Sequence, residues 1–271
     1  MMVSPAFAGK KFAILGLARS GMAALEALLA SGAELMVWDN REEIRAQVAE
    51  RVMVADPMHT DITDCDAIIV SPGIPLNTHP ITARAAEKSV PIIGDIEIFE
   101  RARADLPAHK LVGITGTNGK STTTALIHHI CETAGIPALM GGNIGLPILS
   151  QDPLPQGGVY ILELSSYQID LTRGLDCDIS VLLNISPDHL DRYDGFDAYA
   201  ASKARLFDMM AADKIAILGS DDEKTALIEQ EMRDEGRIGH ILNSAEMPLS
   251  GQADWPSLQG PHNMQNARAA V

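Results

Sequence analysis

Lys110-Leu111-Val112-Gly113-Ile114-Thr115-Gly116-Thr117-Asn118-Gly119-Lys120-Ser121-Thr122 decides how the rest of this sequence is read. The run from Lys110 to Ile114 has the length and β-rich apolar character of a buried strand, and a helical pattern starts near Thr122. Between them lies a glycine-punctuated turn ending in Lys-Ser. Gly116 and Gly119 allow backbone N–H groups from Gly116 to Thr122 to converge on phosphate oxygens. The helix N-terminus adds its positive dipole end, Lys120 supplies a point charge, and the Ser121 hydroxyl is placed to reach Mg²⁺. Strand, loop, Lys-Ser and helix in this order predict a nucleotide site with ATP as its ligand. The strict phosphate-loop spacing requires glycine where Ile114 stands, and Gly113 comes one residue early, which points to a subclass of such loops.

Outward from this loop, short apolar runs alternate with helical periodicity in both directions. Upstream, strands are predicted at Phe12 to Leu15, Glu34 to Trp38, Ala67 to Val70 and Val90 to Ile93. Helices fall at Ser20 to Ala30, Arg41 to Arg51, Ile81 to Lys88 and around Asp95 to Ala104. Asp105-Leu106-Pro107-Ala108 breaks the rhythm, so a boundary is expected near 106 to 109, separating domain 1–107 from domain 108–271. Downstream strands are predicted near 110–114, 136–140, 159–164, 178–184 and 214–218, with helices near 121–134, 196–212 and 222–234. The fold expected is α/β: an N-terminal Rossmann-like parallel-sheet domain followed by a P-loop-type α/β ATP-binding domain, each doubly wound. No repeat of fixed period or low-complexity tract interrupts it.

Composition narrows the function. At 271 residues and 46% hydrophobic, the chain has material for a sizeable core in each of two domains. Lys+Arg 21 against Asp+Glu 36 leaves a net charge of -15, which repels nucleic acid. Cys65, Cys131 and Cys177 form no Cys-x-x-Cys pair, so neither a disulfide framework nor a thiolate zinc site is indicated. No signal-type segment or membrane-length apolar run is present. A cytoplasmic monomer without membrane insertion is expected.

In the first domain, Gly16-Leu17-Ala18-Arg19-Ser20-Gly21 follows strand one and Asp39 ends strand two. The dinucleotide fingerprint places a glycine at the position held by Ala18, where backbone must approach a pyrophosphate, so NAD is disfavoured. Asp39, Asn40 and Arg41 still lie beyond the carboxyl ends of parallel strands, where another nucleotide could bind, or where Asp or Asn could cap a helix. Ser71-Pro72-Gly73-Ile74 is a further loop at that edge, by itself only a turn. In the second domain Glu163 closes a strand and runs into Leu164-Ser165-Ser166-Tyr167-Gln168, a carboxylate suited to Mg²⁺. Asn184-Ile185-Ser186-Pro187-Asp188-His189-Leu190-Asp191 follows the next strand, with His189 available to a metal or substrate. Taken singly, Glu163 reads equally as a surface charge and Asp188 as a helix cap.

Thr115 to Ser121, Gly141-Gly142-Asn143-Ile144-Gly145, Leu162 to Gln168, Asn184 to Tyr193, Ser202 to Phe207 and Gly260 to Ala270 together resemble the Mur ligase family over essentially the whole chain. The Glu-Leu-Ser-Ser-aromatic-Gln string is most similar to the branch that adds D-glutamate. Folylpolyglutamate synthetase shares the phosphate loop but resembles the remainder less. The resemblance implies an ATP-dependent acid–amino-acid ligase of peptidoglycan precursor synthesis, joining D-glutamate to UDP-N-acetylmuramoyl-L-alanine. In that chemistry the γ-phosphoryl group activates the carboxylate as an acyl phosphate, which the amine attacks, and positioning and charge stabilisation do most of the work.

The same resemblance implies roles. Lys120 and the loop amides would hold ATP phosphates, Ser121 and Glu163 one Mg²⁺, and His189 with Lys203 a second metal. A free ammonium repels Mg²⁺, so Lys203 is implied to be carbamylated; without the family it reads as an exposed helical lysine. Asn263 and Asn266 would contact the adenine end, and otherwise read as polar residues at a helix start. Arg19, Ser20, Asp39, Asn40, Arg41, Ser71 and Gly73 would bind the UDP-sugar, with Asn143, Ser165 and Gln168 continuing toward the reacting carboxylate. Ala18 and Asn40 depart from the commonest family form. The sequence stops at Val271 inside a helix opening near Asn263, without the family's third domain, which carries part of the ATP and D-glutamate sites. The expectation is UDP-sugar binding with weak or no ligation by this chain alone, and exposed apolar surface over Met264 to Val271. Another Mur ligase, a dehydrogenase on the first sheet and a catalytically silent nucleotide-binding module are the alternatives.

Overall fold

Ala67 to Val70 is buried at every position, as expected of a strand covered on both faces of a parallel sheet. In the computed structural model, which describes residues 1–219, 221–236 and 238–271, this strand lies next to the centre of a five-stranded, all-parallel sheet. Its strands are β1 (Lys11–Leu15), β2 (Glu34–Trp38), β3 (Met53–Val54), β4 (Ala67–Val70) and β5 (Ile92–Ile93), in the order β3-β2-β1-β4-β5. Helices α1 (Arg19–Ala30), α2 (Glu42–Val48) and α3 (Ile81–Glu87) lie between them in the chain, and α4 (Asp95–Ala102) follows β5. Strand order reverses between β1 and β4, and the crevice for a ligand opens beyond their carboxyl ends. α1 packs hard onto the turn that precedes it: a Cβ on Gly21 would lie 1.9 Å from the Gly16 carbonyl oxygen, so only glycine fits.

The second unit is built on a six-stranded parallel sheet, ordered β11-β10-β9-β6-β8-β7. Its strands are β6 (His109–Thr115), β7 (Ala138–Gly142), β8 (Gly158–Glu163), β9 (Ile179–Leu182), β10 (Ile215–Leu218) and β11 (His240–Asn243). Its helices are α5 (Lys120–Thr133), α6 (Ser166–Asp170), α7 (Gly195–Asp208), α8 (Glu223–Glu235) and α9 (Pro261–Ala270). Val112, Ile114, Ile161 and Val181 from the central strands pack with Ala269 of α9 into one cluster. α9 corrects the expectation of an apolar exposed end. Proline at its first position starts it at Pro261, and the small side chains Ala267 and Ala269 let it approach closely enough to be buried. Among the large apolar side chains there, Val271 is the exposed one.

Met1–Leu106, Leu146–Pro153 and Leu171–Gly174 form the first compact unit, and Pro107–Gly145, Leu154–Asp170 and Leu175–Val271 the second. The two short excursions are held by backbone pairing that linear sequence does not display. Met2 N–H donates to the Leu149 carbonyl at 3.0 Å and Gly94 N–H to Leu171 at 2.9 Å. The Glu97 carboxylate accepts Arg173 N–H at 2.8 Å. Among the described residues no helix is long and apolar enough to cross a membrane.

Candidate nucleotide site

The phosphate loop leaves β6 at Thr115, whose buried hydroxyl donates to the Leu164 carbonyl at 2.9 Å and so ties the ends of β6 and β8 together. Gly116 at φ 147° and Gly119 at φ 86° take conformations that L side chains avoid. Gly119 is also covered, since an added Cβ would meet Asn266 Oδ1 at 2.2 Å. α5 then begins at Lys120 with no side-chain cap, leaving the first-turn N–H groups and the positive end of the helix dipole at the loop. Lys120 Nζ donates to the Gly116 and Thr117 carbonyls, each at 2.9 Å. Burial pushes its pKa down, against the pull of the Glu163 and Asp188 carboxylates.

Glu163 ends β8 almost wholly buried, and both its oxygens are occupied. Ser121 Oγ donates to Oε2 at 2.7 Å and Asn143 Nδ2 to Oε1 at 2.8 Å. Gly142 permits this approach: it sits at φ 86°, and a Cβ there would lie 2.2 Å from the Glu163 carbonyl oxygen. One carboxylate and one hydroxyl at a phosphate loop suit Mg²⁺, which binds few protein oxygens and completes its shell with phosphate and water. Among the described residues no group of three or more His, Cys, Asp or Glu side chains could enclose a metal.

Lys203 is not the exposed helical lysine that its sequence context suggests. It is 2% exposed in α7, donates to the same Gly116 carbonyl at 3.0 Å, and lies 4.7 Å from the Tyr199 ring centroid. Burial, and then the neighbouring Lys120 ammonium, bring its pKa down to about 7. The signal was present as spacing: Tyr199, Lys203 and Phe207 recur at i, i+4, i+8 on the buried stripe of α7. His189 takes φ 52° and is half-exposed, with its ring 5.1 Å from Tyr167 and 6.3 Å from Tyr199. Its Nε2 lies 3.5 Å from Asp188 Oδ2.

Asn266 Nδ2 donates to Asn263 Oδ1 at 3.2 Å, and Asn266 faces Gly119, so α9 brings this pair to the loop. Beside it opens a cavity of about 820 Å³ lined by Asn118, Asn184, Ser186, Asp222, His262 and Arg268 among others. Ser165 and Gln168 pair with each other: Ser165 N–H and Oγ donate to Gln168 Oε1 at 3.2 and 3.1 Å, and Gln168 N–H to Ser165 Oγ at 3.3 Å. That is the reciprocal arrangement of a capping box at the start of α6. Asn184, Tyr199 and Asp170 entered the sequence reading at most as members of a loop or helix. Asp170 accepts from Tyr193 OH and Ser202 Oγ, each at 2.8 Å, joining α6, α7 and the loop that bears His189.

In the first unit, the turns after β1, β2 and β4 bring their named residues to one sheet edge. Asp39 accepts Leu17 N–H at 2.8 Å, Arg41 N–H at 3.0 Å, and the Arg41 guanidinium at 2.9 and 3.1 Å. The Arg41 guanidinium is the chief reason its carboxyl is held far below the usual carboxylate range. Arg45 donates to the Asp39 and Asn40 carbonyls at 2.7 and 3.1 Å, and Ser71 Oγ donates to the Gly16 carbonyl at 2.8 Å. Arg19 and Ser20 open α1, which has no side-chain cap, and space around Gly73 is open.

A family model described as "Mur ligase middle domain" matches residues 114–249, and one described as "Mur ligase MurD-like, N-terminal domain" matches residues 10–94. The UDP-N-acetylmuramoylalanine–D-glutamate ligase of Novosphingobium aromaticivorans is 61% identical over 271 residues, covering 100% of this chain and 61% of that protein. The protein of the same name from Zymomonas mobilis is 53% identical over 286 residues, covering 100% and 64%. This chain thus spans less than two thirds of their length. Among solved structures, UDP-N-acetylmuramate:L-alanyl-gamma-D-glutamyl-meso-diaminopimelate ligase from Neisseria meningitides superposes with a TM-score of 0.62 at 18% identity. That match covers 97% of this chain and 92% of the other, a likeness of fold alone. With both α/β units and the phosphate loop matched in sequence, the chain belongs to the Mur ligase family.

Proposed function

We propose that this chain is the UDP-sugar- and ATP-binding part of a cytoplasmic, monomeric ligase that joins D-glutamate to UDP-N-acetylmuramoyl-L-alanine in peptidoglycan precursor synthesis. One observation carries the reading: Ser121 and Glu163 are hydrogen-bonded at a phosphate loop whose Gly116 carbonyl collects both Lys120 and Lys203. The Gly119 amide, the first-turn amides of α5 through Thr122 and the Lys120 side chain grip the ATP phosphates, with Gly116, Thr117 and Asn118 shaping the loop. Ser121 and Glu163 hold Mg²⁺, which when bound offsets charge on the transferring phosphoryl group. Asn263 and Asn266 face the adenine end. Arg19, Ser20, Asp39, Asn40, Arg41, Ser71 and Gly73 hold the UDP-sugar, and Asn143, Ser165 and Gln168 steady the strand and helix ends nearest Glu163.

The substrate carboxylate attacks the γ-phosphorus and ADP leaves. The D-glutamate amine then attacks the acyl carbon and inorganic phosphate leaves, giving the amide. Lys203 fits a second metal site, with His189, only as a carbamate. Its pKa of about 7 supports that modification, because a neutral amine adds to CO₂ and releases a proton, turning a cation into an anion with two oxygen ligands. Calorimetric titration of the chain with UDP-N-acetylmuramoyl-L-alanine, and separately with an unreactive ATP analogue and Mg²⁺, tests the reading. Both are expected to bind, and Glu163→Gln is expected to weaken the Mg²⁺-dependent part about tenfold. Binding of neither ligand would defeat the proposal, and tight NADH binding in place of the UDP-sugar would return the first sheet to a dehydrogenase role.

A further inference from the structure

After β9 ends at Leu182, the chain turns along the carboxyl edge of the sheet onto the phosphate loop. Leu183 N–H donates to the Thr115 carbonyl at 3.0 Å, and the Asn184 carbonyl accepts Thr117 N–H at 2.8 Å. The Asn184 side chain then does what a backbone would do. Its Oδ1 accepts Asn118 N–H at 2.9 Å and its Nδ2 donates to the Asn118 carbonyl at 3.0 Å, as in one rung of a strand ladder. Thr117 Oγ1 adds a second clasp, accepting Ser186 N–H at 3.0 Å. The far side of the segment is anchored as well, because Ile185 N–H donates to Asp222 Oδ2 at 3.0 Å.

This arrangement divides the loop amides into two groups. The N–H groups of Thr117 and Asn118 are committed to Asn184 and turned away from any anion. Beyond Asn118 the chain passes through the left-handed Gly119 into the uncapped start of α5. A polyphosphate would then be met by the first-turn amides of α5 and by Lys120, not by the whole loop. We propose that Asn184 is a positioning residue of the phosphate loop, whose side-chain amide fixes Asn118 so that the α5 amide group and Lys120 face the phosphates. The proposal rests on the nucleotide reading of this site.

Only a group with one donor and one acceptor in a fixed plane satisfies both Asn118 atoms. Aspartate keeps the acceptor but sets a carboxylate oxygen against the Asn118 carbonyl. Protonated aspartic acid restores the missing donor. The substitution Asn184→Asp therefore carries its own pH-dependent rescue, which neither the wild type nor Asn184→Ala possesses.

The test measures affinity of the 271-residue chain and both variants for an unreactive ATP analogue with Mg²⁺, at about pH 8 and about pH 4, where an ordinary aspartic acid is about half protonated, each variant referred to wild type at the same pH. Unfolding midpoints of all three are recorded alongside. Expected is a deficit of about tenfold for Asn184→Asp at the higher pH, narrowing at least threefold (a rough figure) at the lower, with the Asn184→Ala deficit unchanged. Wild-type affinity in Asn184→Asp at both pH values, or a deficit that does not narrow on acidification, overturns the proposal while leaving the nucleotide reading intact. Failure of wild type to bind overturns both. Should Asn184→Ala not fold, the pH response of Asn184→Asp against wild type decides alone.

Discussion

Lys203 is a buried base whose titration should be visible in the stability of the second unit. Its pKa falls from the ordinary lysine value of 10.5 to about 7, chiefly through burial and then through Lys120. Between those values the unfolded chain carries a proton on this group that the folded chain lacks, so stability rises with pH across that window and is lowest below it. Each unit of displacement corresponds to about 1.4 kcal/mol, which gives roughly 5 kcal/mol over the whole window and about 2.3 kcal/mol between pH 7, where the folded group is half protonated, and pH 9. Lys203→Met keeps much of the side-chain volume and removes the charge. It also loses the bond to the Gly116 carbonyl, a cost of about 1 kcal/mol that does not vary with pH. The slope, not the offset, is therefore diagnostic. Urea unfolding followed by Trp255 fluorescence in a Trp38→Phe background reports on the second unit, because these are the two tryptophans of the chain and Trp38 lies in the first. CO₂-free buffers keep the amine unmodified. Wild type is expected to gain stability from pH 7 to 9 relative to Lys203→Met by up to the stated amount. Parallel curves for the two proteins would refute the claim that Lys203 is neutralised by folding.

Two further outcomes follow from the same geometry. Asp39→Asn removes the charge that collects Arg41 and Leu17 N–H, and is expected to cost about 1–3 kcal/mol in the first unit, read from Trp38 fluorescence on denaturation. Because folding depresses the Asp39 pKa, its contribution is complete above the unfolded value and is lost only as pH falls through the folded one, so the deficit of the variant should persist unchanged from neutral pH down to about pH 5. Gly119→Ala combines a left-handed backbone with a 2.2 Å approach to Asn266 Oδ1, and is expected to cost more than about 2 kcal/mol and to weaken nucleotide binding, whereas Gly157→Ala, at φ 85° with nothing within 4 Å, should show the backbone cost alone.

What the sequence revealed and what it hid divide along a physical line. Ala67 to Val70 was legible with its observed bounds because a strand covered on both faces is a continuous apolar run. β3 is two residues long and β11 only partly buried, so neither leaves such a run. The turn from Gly116 to Ser121 was legible as a glycine-bent entry into a helix because its requirements are local: glycine where φ is positive, lysine and serine at a helix start. Asn184 was not, because its role depends on a partner 66 residues away that exerts no demand on neighbouring sequence. The same distinction bears on the residues first read as ligand contacts. Ser165 and Gln168 satisfy each other, and Asp39 is filled by Arg41 and Leu17, so a ligand at those positions must compete with protein partners. Ser121 is different in kind. Its hydroxyl spends its proton on Glu163, which leaves oxygen lone pairs to face a cation, while Asn143 holds the other Glu163 oxygen in place. The bonds that order this pair are thus the ones it would keep with Mg²⁺ bound, and cation binding there need not first break the structure that creates the site.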